Sequence, residues 1–431
     1  MEASTLAAFA GAYLWAVIPL AATMLGLLIV IRPAIGGARQ RGFDLALGAC
    51  LAVVALQVVP LPQWMRLALS PSAAAIDQAL WLDAPVDPLA GPSRPLSIDT
   101  AATLWALAVA IAAAAAFWSA REIFGRSGIR TVASGIGWIG LALASVAMLQ
   151  HTTAPELLYW RWPTLFRAAF TPYLNKNYFA AWLIMAIPVT AGYILARFQS
   201  RRRSGSSADL DAVVDAKTVW LGVSTCLMSA ALLTTVSRSG LIGAAGGLAS
   251  FMWLAHGRAG RRGLAPLAIV VLVALIVAVA YGNIGALADR FTGTLEASGN
   301  GRGVIWRETW PMVEDFWLTG VGAGAYERGM LVYWHQKGLW YVNHAHNEYL
   351  QLAAEGGVML GLVVAVLLAT GIRKVARALG RDTTPVFWLR VGAASGLVAI
   401  AVQSIWDTGL RMPANTILFA LLAAIALHDT N

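Results

Sequence analysis

Charged residues are scarce in this sequence. Only 12% of its 431 residues are Asp, Glu, Lys or Arg, whereas 58% are hydrophobic. Because soluble globular domains carry about 25% charged residues, this composition excludes a soluble protein of this size. It indicates an all-α polytopic membrane protein.

Cysteine is also rare, and no cleavable leader is expected. Cys50 and Cys226 both lie inside apolar segments, which argues against a disulfide framework and against a thiolate metal site. The letters MEAS before Leu6 contain no basic residue. The first apolar run is therefore expected to remain in the membrane as a span.

The apolar runs predict eleven membrane spans, since a helix needs about 20 apolar residues to cross a bilayer. We place them at 6–31, 43–61, 100–119, 131–150, 178–196, 218–236, 240–256, 264–282, 350–372, 386–405 and 413–427. Residues 1–431 are expected to form one transmembrane domain, with the amino terminus outside and the carboxyl terminus inside. A twelve-span arrangement with one short or re-entrant segment is the alternative.

The linkers between the spans alternate in charge. Short basic linkers hold more than half of the 31 Lys and Arg residues and are expected to face the cytoplasm. One of them, 197–217, is predicted to be a flexible cytoplasmic loop. The longest outward segment, 283–349, is predicted to be a large periplasmic loop containing amphipathic helices. Because the net charge of +9 lies in short runs and not on one face, nucleic acid is not a predicted partner.

Arg238 stands in TTVSRSG, a short outward junction between two apolar runs. A guanidinium at the membrane boundary is costly unless it meets a partner or a water-filled cavity. We predict that Arg238 binds an anionic group such as a phosphate, which suits its planar fork. The alternative is an arginine that only extends along the interface.

Polar residues also precede the span at 178–196. Arg161, Arg167, Asn175 and Asn177 lie there. The two asparagines are suited to cap the following helix. Free amides at that helix end would favour an anion if they face a cavity, and the two roles are compatible.

Residues 301–357 form the longest polar stretch and begin with Arg302 and Arg307. Apolar residues recur at helical spacing from Val304 to Trp317, which predicts an amphipathic helix at the membrane interface. The GVGAG that follows has no Lys-Ser or Lys-Thr after it, unlike a phosphate loop. It is interpreted as a turn that ends the helix.

His344, His346 and Glu348 alternate in NHAHNEYL. In an extended segment they would share one face and could ligate a metal, whereas in a helix His346 would point elsewhere. A neutral imidazole acting as a general base requires fewer partners and is favoured, so no metal or other cofactor is predicted. Glu355 is either a buried partner of an arginine or histidine, or an acid at a helix start.

These segments resemble a known family. HAHNEYLQLAAEGGVMLG, with the upstream RGVIWRETWPMVEDFWLTGVGAGAY, LNKNYFAAWL and SRSG, resembles the bacterial O-antigen ligase and O-antigen polymerase superfamily over about residues 160–375. The resemblance implies an inner-membrane glycosyltransferase with its active site facing the periplasm. Such enzymes transfer a glycan from undecaprenyl pyrophosphate to a sugar hydroxyl without a metal.

The resemblance also implies roles for individual residues. Arg238 and Arg302 would bind the pyrophosphate, and His346 would be the base on the acceptor, with His344 second. The remaining predicted substrate-binding residues are Asn347, Arg307, Arg161, Arg167, Asn177 and Glu355.

Ligases and polymerases of this superfamily differ in the acceptor that they use. We favour a ligase, which joins a finished glycan to lipid A core or another glycolipid, because the basic outward surface would suit a phosphorylated acceptor. The alternative is a polymerase whose acceptor is a lipid-linked repeat unit. A transporter or flippase of an anionic lipid is less favoured, since it would show charges at mid-span and inverted repeats.

Overall fold

The computed structural model describes residues 9–11, 14–37, 40–80, 89, 91–125, 128–163, 170–203, 215–258, 299–336 and 341–428. Its α-helices are α1 Leu14–Ile31, α2 Arg41–Leu56, α3 Gln63–Leu69, α4 Ala73–Leu80, α5 Thr100–Gly125, α6 Ile129–Thr153, α7 Lys176–Arg203, α8 Ala216–Thr234, α9 Arg238–Ala255, α10 Gly299–Asp315, α11 Tyr326–Tyr333, α12 Glu348–Arg381, α13 Val386–Gln403 and α14 Pro413–Ala426. Two short strands, β1 Leu157–Leu158 and β2 Trp162–Pro163, pair antiparallel. The predicted all-α fold class is confirmed.

Most of the predicted spans coincide with helices. Ten of the eleven lie wholly or partly within described residues, and each of these overlaps a helix. By length and composition, α5, α6, α7, α8, α12 and α13 are long and apolar enough to cross a membrane, while α14 and the apolar part of α1 are shorter. The chain is therefore a multi-pass membrane protein. The span predicted at 264–282 lies outside the described residues, so the count of eleven or twelve stays a prediction.

Basic linkers gather at one end of the helix bundle. This basic end comprises residues 32–37, 40–44, 121–125, 197–203, 215–217, 256–258 and 373–390. Arg121 crosses two linkers there, donating to the Ala34 carbonyl at 2.9 Å and to Asp44 Oδ1 at 2.6 Å. Lys374 donates to Gln40 Oε1 at 2.6 Å. Linkers that were predicted to share one side of the membrane thus lie together.

Glycines bring α7, α9 and α13 into close contact at the centre of the bundle. A Cβ at Gly192 of α7 would lie 2.3 Å from a backbone carbonyl of α13, and a Cβ at Gly392 of α13 would lie 2.3 Å from the Pro188 carbonyl. A Cβ at Gly243 of α9 would lie 2.8 Å from the Ala399 carbonyl. Small residues let membrane helices approach this closely. The packing places the starts of α7 and α9 beside the end of α13.

A second hydrophobic core lies at the opposite end, which we call the site end. Ala73 and Ile76 of α4 pack there with Met312 and Phe316 of α10 and with Tyr326 of α11. Described parts of the segments 62–99 and 283–349, both expected to face outward, therefore fold against each other. We call this unit, formed by α3, α4, α10 and α11, the cap.

A glycine turn joins the cap to α12. The three glycines of GVGAG, at 320, 322 and 324, have φ values of 69°, 110° and 79°, which L side chains rarely adopt. GVGAG is therefore a turn, as predicted, but α10 ends before it, at Asp315. Helix α12 is interrupted at Gly357 (φ 56°, ψ −162°), where Val358 N donates to the Trp317 carbonyl at 2.7 Å.

The buried side chain of Gln57, just after α2, holds this turn. Its Nε2 donates to the Thr319 and Glu355 carbonyls at 2.8 and 2.9 Å. Its Oε1 accepts from Ala323 N at 2.9 Å. A buried amide is stabilising only when its donors and acceptor are satisfied. The amino-terminal helices therefore contribute to the scaffold around α12.

Candidate functional site

Asp407 is the residue at which the candidate site converges. Its side chain is fully buried, and Thr408 N donates to its Oδ1 at 2.9 Å. Ser239 Oγ donates to its Oδ2 at 3.4 Å. Arg302 NH2 lies 3.7 Å from Oδ2, and His346 Nδ1 lies 3.8 Å from Oδ1. Since an isolated buried carboxylate is very costly, these partners from three distant segments explain how Asp407 is tolerated there.

His346 lies in the segment 341–347, which leads into α12. Its φ is 49°, an uncommon value for a residue other than glycine. Asn347 caps α12, because its Oδ1 accepts from Leu350 N at 3.0 Å. The buried Nδ1 of His346 has no hydrogen-bond partner among the described residues, and its 3.8 Å separation from Asp407 exceeds a hydrogen bond. A proton on Nδ1 directed at that carboxylate would leave the lone pair on Nε2, as a general base requires.

His344 has a different environment. Gln351 Nε2 lies 3.4 Å from its Nδ1. Burial, followed by the positive charge of Arg411, lowers the pKa of His344 to about 3. This imidazole is therefore neutral near pH 7. The preference for His346 over His344 as the base stays a prediction, but the two rings now differ in their partners.

The NHAHNE segment is neither wholly extended nor wholly helical. Residues 341–347 lie outside helices and strands, His346 has a φ of 49°, and α12 begins at Glu348. His344 therefore contacts Gln351 while His346 faces Asp407. Among the described residues, no three His, Cys, Asp or Glu side chains converge as metal ligands would.

Arg302 lies near the start of α10, where its side chain is 35% exposed. Helix α10 is joined to the segment 341–347 by Trp306 Nε1, which donates to the Ala345 carbonyl at 2.9 Å. On the inner face of α10, Thr309 Oγ1 lies 2.7 Å from Tyr326 OH. These contacts bring Arg302 and His346 to the same carboxylate. The partial exposure leaves guanidinium donors available to a ligand.

Arg238 is the first residue of α9 and lies between two serines of the site. Ser237 caps α9 by accepting from Gly240 N at 3.2 Å, and its Oγ donates to Asn177 Oδ1 at 2.8 Å. Ser239 contacts Asp407 on the other side. The start of α9 thus belongs to the same polar region as Asp407.

Asn175 and Asn177 have separate roles at the start of α7. Asn175 Oδ1 accepts from Asn177 N at 2.9 Å, so the predicted capping falls to Asn175. The Asn177 side chain bonds Ser237, and its carbonyl accepts from Gln403 Nε2 at 3.0 Å. Asn177 therefore joins three helices, α7, α9 and α13.

Glu355 is a buried partner of an arginine, the first of its two predicted alternatives. Arg411 NH1 donates to Glu355 Oε2 at 2.6 Å, and Arg411 Nε donates to Glu348 Oε1 at 3.0 Å. Gln351 Nε2 donates to Glu355 Oε1 at 3.0 Å. Whether Glu355 also binds substrate stays a prediction.

Sequence reasoning assigned no role to Asp407 or Arg411. Both lie between the last two spans, where charges beyond the needs of solubility were visible. That signal singles out the linker, but it cannot say which distant residues the charges meet. Glu348 was noticed only for its spacing from the histidines, and its partner Arg411 lies 63 residues away.

Arg307 and Arg161, two of the predicted substrate-binding residues, do not contact Asp407 in the described part of the structure. Arg307 is exposed on α10, and Arg161 is exposed beside β2, with its Cζ 5.4 Å from the Trp162 ring centroid. Arg167 lies outside the described residues. Substrate binding by these residues stays a prediction.

Several buried polar atoms near Asp407 lack hydrogen-bond partners within the described part of the chain. They are His346 Nδ1, Glu348 Oε2, Gln403 Oε1 and Ser404 Oγ. Such groups are uncommon in native proteins unless water or a ligand satisfies them. Their position next to Asp407 marks the site end as a place where additional polar groups can bind.

The fold and the site define a multi-pass helical membrane protein with a polar site at one end of its bundle. Residues 223–366 match the family model described as O-antigen ligase. This match confirms the resemblance to the O-antigen ligase and polymerase superfamily, and it indicates a glycosyltransferase-type enzyme. Arg238, Arg302 and His346 lie inside the matched segment, whereas Asp407 and Arg411 lie beyond it. No curated protein matches the chain.

Proposed function

We propose that this protein is an O-antigen ligase of the bacterial inner membrane. It transfers a glycan from undecaprenyl pyrophosphate to a sugar hydroxyl of lipid A core or another glycolipid. The observation that carries the proposal is the approach of Arg302 and His346 to one buried carboxylate, Asp407, at 3.7 and 3.8 Å. A candidate anion-binding group and a candidate base thus both lie beside the Asp407 carboxylate.

The active site is proposed to face the periplasm. Basic linkers of bacterial membrane proteins favour the cytoplasmic side, and here they gather at the end opposite Asp407. The distribution of charge therefore supports an outward-facing site. The lipid carrier would reach it from the bilayer, with its pyrophosphate at headgroup depth.

The proposed reaction is an inverting displacement without a metal. The acceptor hydroxyl attacks the anomeric carbon, and the bond from that carbon to the pyrophosphate oxygen breaks. His346 Nε2 takes the hydroxyl proton. Arg302 and Arg238 stabilise the negative charge that grows on undecaprenyl pyrophosphate as it leaves. Asp407 orients the imidazole and stabilises its protonated form.

A polymerase is the second candidate, because the donor chemistry is the same. Its acceptor would be a lipid-linked repeat unit. We favour the ligase because the exposed Arg161 and Arg328 at the site end suit a phosphorylated acceptor.

Deletion of the gene separates these two functions. Loss of a ligase leaves long polymer on the lipid carrier, whereas loss of a polymerase leaves lipid A core bearing a single repeat unit. Purified protein should release undecaprenyl pyrophosphate from an oligosaccharide donor only when the acceptor is present. Release that does not require an acceptor, or movement of the donor across a vesicle without release, would contradict a transferase.

A further inference from the structure

Arg411 joins the loop that carries Asp407 to the helix that follows His346. It ends the short 3-10 helix Gly409–Arg411, four residues after Asp407. Its NH1 and Nε bind Glu355 and Glu348 of α12 at 2.6 and 3.0 Å. A single guanidinium therefore bridges two carboxylates that lie two turns apart on α12.

The same loop is fixed on its other side. Asn415 Nδ2 donates to the Gly409 carbonyl at 2.8 Å and to the Tyr178 carbonyl at 3.0 Å, which attaches the loop to α7. Glu348 N donates to the Ser404 carbonyl at 2.9 Å. With α7 and α13 holding the loop, the bridge through Arg411 sets where the start of α12 lies against it.

The first turn of α12 immediately follows His346 and its capping neighbour Asn347. We infer that Arg411 is a positioning residue, which holds the His346 ring against Asp407 by fixing the start of α12 to the Asp407 loop. This inference rests on the proposed function, because it assumes that His346 is the base.

The geometry requires an arginine in particular. The planar guanidinium can bind two carboxylates through different nitrogens, whereas the ammonium of lysine is a compact point charge. Lysine at position 411 would preserve the charge but could not reproduce both contacts in the same arrangement. A displacement of about 1 Å at a reacting group can cost roughly 100-fold in rate.

The test compares Arg411→Lys with Arg390→Lys. Arg390 is also buried and ion-paired, but it binds Asp382 at the basic end. The full-length protein in lipid nanodiscs is assayed with an undecaprenyl-pyrophosphate-linked oligosaccharide and lipid A core, and kcat, donor KM and thermal unfolding are measured. Arg411→Lys should lower kcat about 10- to 100-fold with little change in donor KM. Arg390→Lys should lower thermal stability and leave kcat within about twofold.

A second variant addresses the stability of Arg411 substitutions. Arg411→Met combined with Glu355→Gln removes the cation together with one carboxylate, so that fewer unpaired charges stay buried. This double variant should fold and keep a low kcat. The inference is overturned if either Arg411 variant has the kcat of the unmodified protein, or if Arg390→Lys lowers kcat equally.

Failure of the inference is distinguishable from failure of the proposed function. If His346→Ala retains transfer, the proposed base is wrong whatever Arg411 does. If His346→Ala is inactive while Arg411→Lys is fully active, only the positioning role is wrong.

Discussion

The ion pairs of the basic end differ from the charged contacts around Asp407. At the basic end, Arg121 contacts Asp44 at 2.6 Å and Arg197 contacts Asp215 at 2.5 Å. At the site end, Arg302 and His346 stop 3.7 and 3.8 Å from Asp407. Ion pairs at hydrogen-bonding distance connect the linkers, and their donors and acceptors already serve each other rather than a ligand. The wider spacing around Asp407 leaves donors and acceptors that a substrate can engage.

This contrast separates scaffold from site even though both ends are rich in arginine. The Arg390–Asp382 pair is almost wholly buried, and Arg390 also donates to the Ala426 and His428 carbonyls. It ties the turn between α12 and α13 to the end of α14. Arg302 is partly exposed, and its distance to Asp407 is too long for a hydrogen bond. Arg390 and Arg302 are the same residue type, and they differ in how many hydrogen bonds their guanidinium groups make within the protein.

The largest expected effect is that of His346→Ala. Loss of a general base costs typically about 100- to 10,000-fold in rate, so kcat for transfer from the purified lipid-linked donor should fall within that range. Thermal unfolding provides the control, because His346 is partly exposed and its removal should leave stability nearly unchanged. An active His346→Ala protein would show that His346 is not the general base, although it faces Asp407.

Arg302→Gln should have the next largest effect. Removing one group that stabilises developing negative charge costs about 100- to 1,000-fold in kcat. Arg121→Gln at the basic end is the matched control and should retain kcat per folded molecule. Equal losses of kcat in the two variants would remove the distinction between the two ends.

Arg390→Met should destabilise the protein without altering its chemistry. Removing one partner of a buried ion pair leaves an uncompensated charge and costs about 3–5 kcal/mol. Denaturation of the purified protein in detergent measures the loss, and kcat at a temperature where the variant remains folded should match the unmodified enzyme. An Arg390→Met variant with unchanged stability would contradict a scaffold role for the basic end.

The smallest expected effect concerns pH and His344. Its folded-state pKa of about 3 lies below the roughly 6.5 of an unfolded histidine. The stability contributed by the neutral ring is therefore present above pH ~6.5 and is lost as the pH falls toward 3, because the unfolded state binds a proton that the folded state does not.

Thermal unfolding at pH 7.5 and pH 5 tests this dependence. His344→Gln should lose less stability on acidification than the unmodified protein. Equal losses in the two proteins would mean that His344 is not held neutral by its surroundings.

Several features were predictable because they depend on local sequence. Apolar runs placed the helices, and the glycines of GVGAG predicted a turn because they can adopt positive φ. The alternatives for Glu355 could be stated but not resolved, because its partner Arg411 is 56 residues away. The separate environments of His344 and His346 could not be resolved for the same reason, because Asp407, which His346 faces, lies in a distant segment of the chain.

The sequence by itself determined the class of protein, the approximate helices and the family resemblance, and it singled out Arg302 and His346 as candidate site residues. These follow from composition, hydrophobic runs and short motifs, all of which are local properties of the chain. Only the tertiary structure decided that Asp407 lies between Arg302 and His346, and that Arg411 joins its loop to α12. The reason is that glycine contacts among α7, α9 and α13, together with the cap, bring distant segments together, and no periodicity along the chain encodes which span ends will meet.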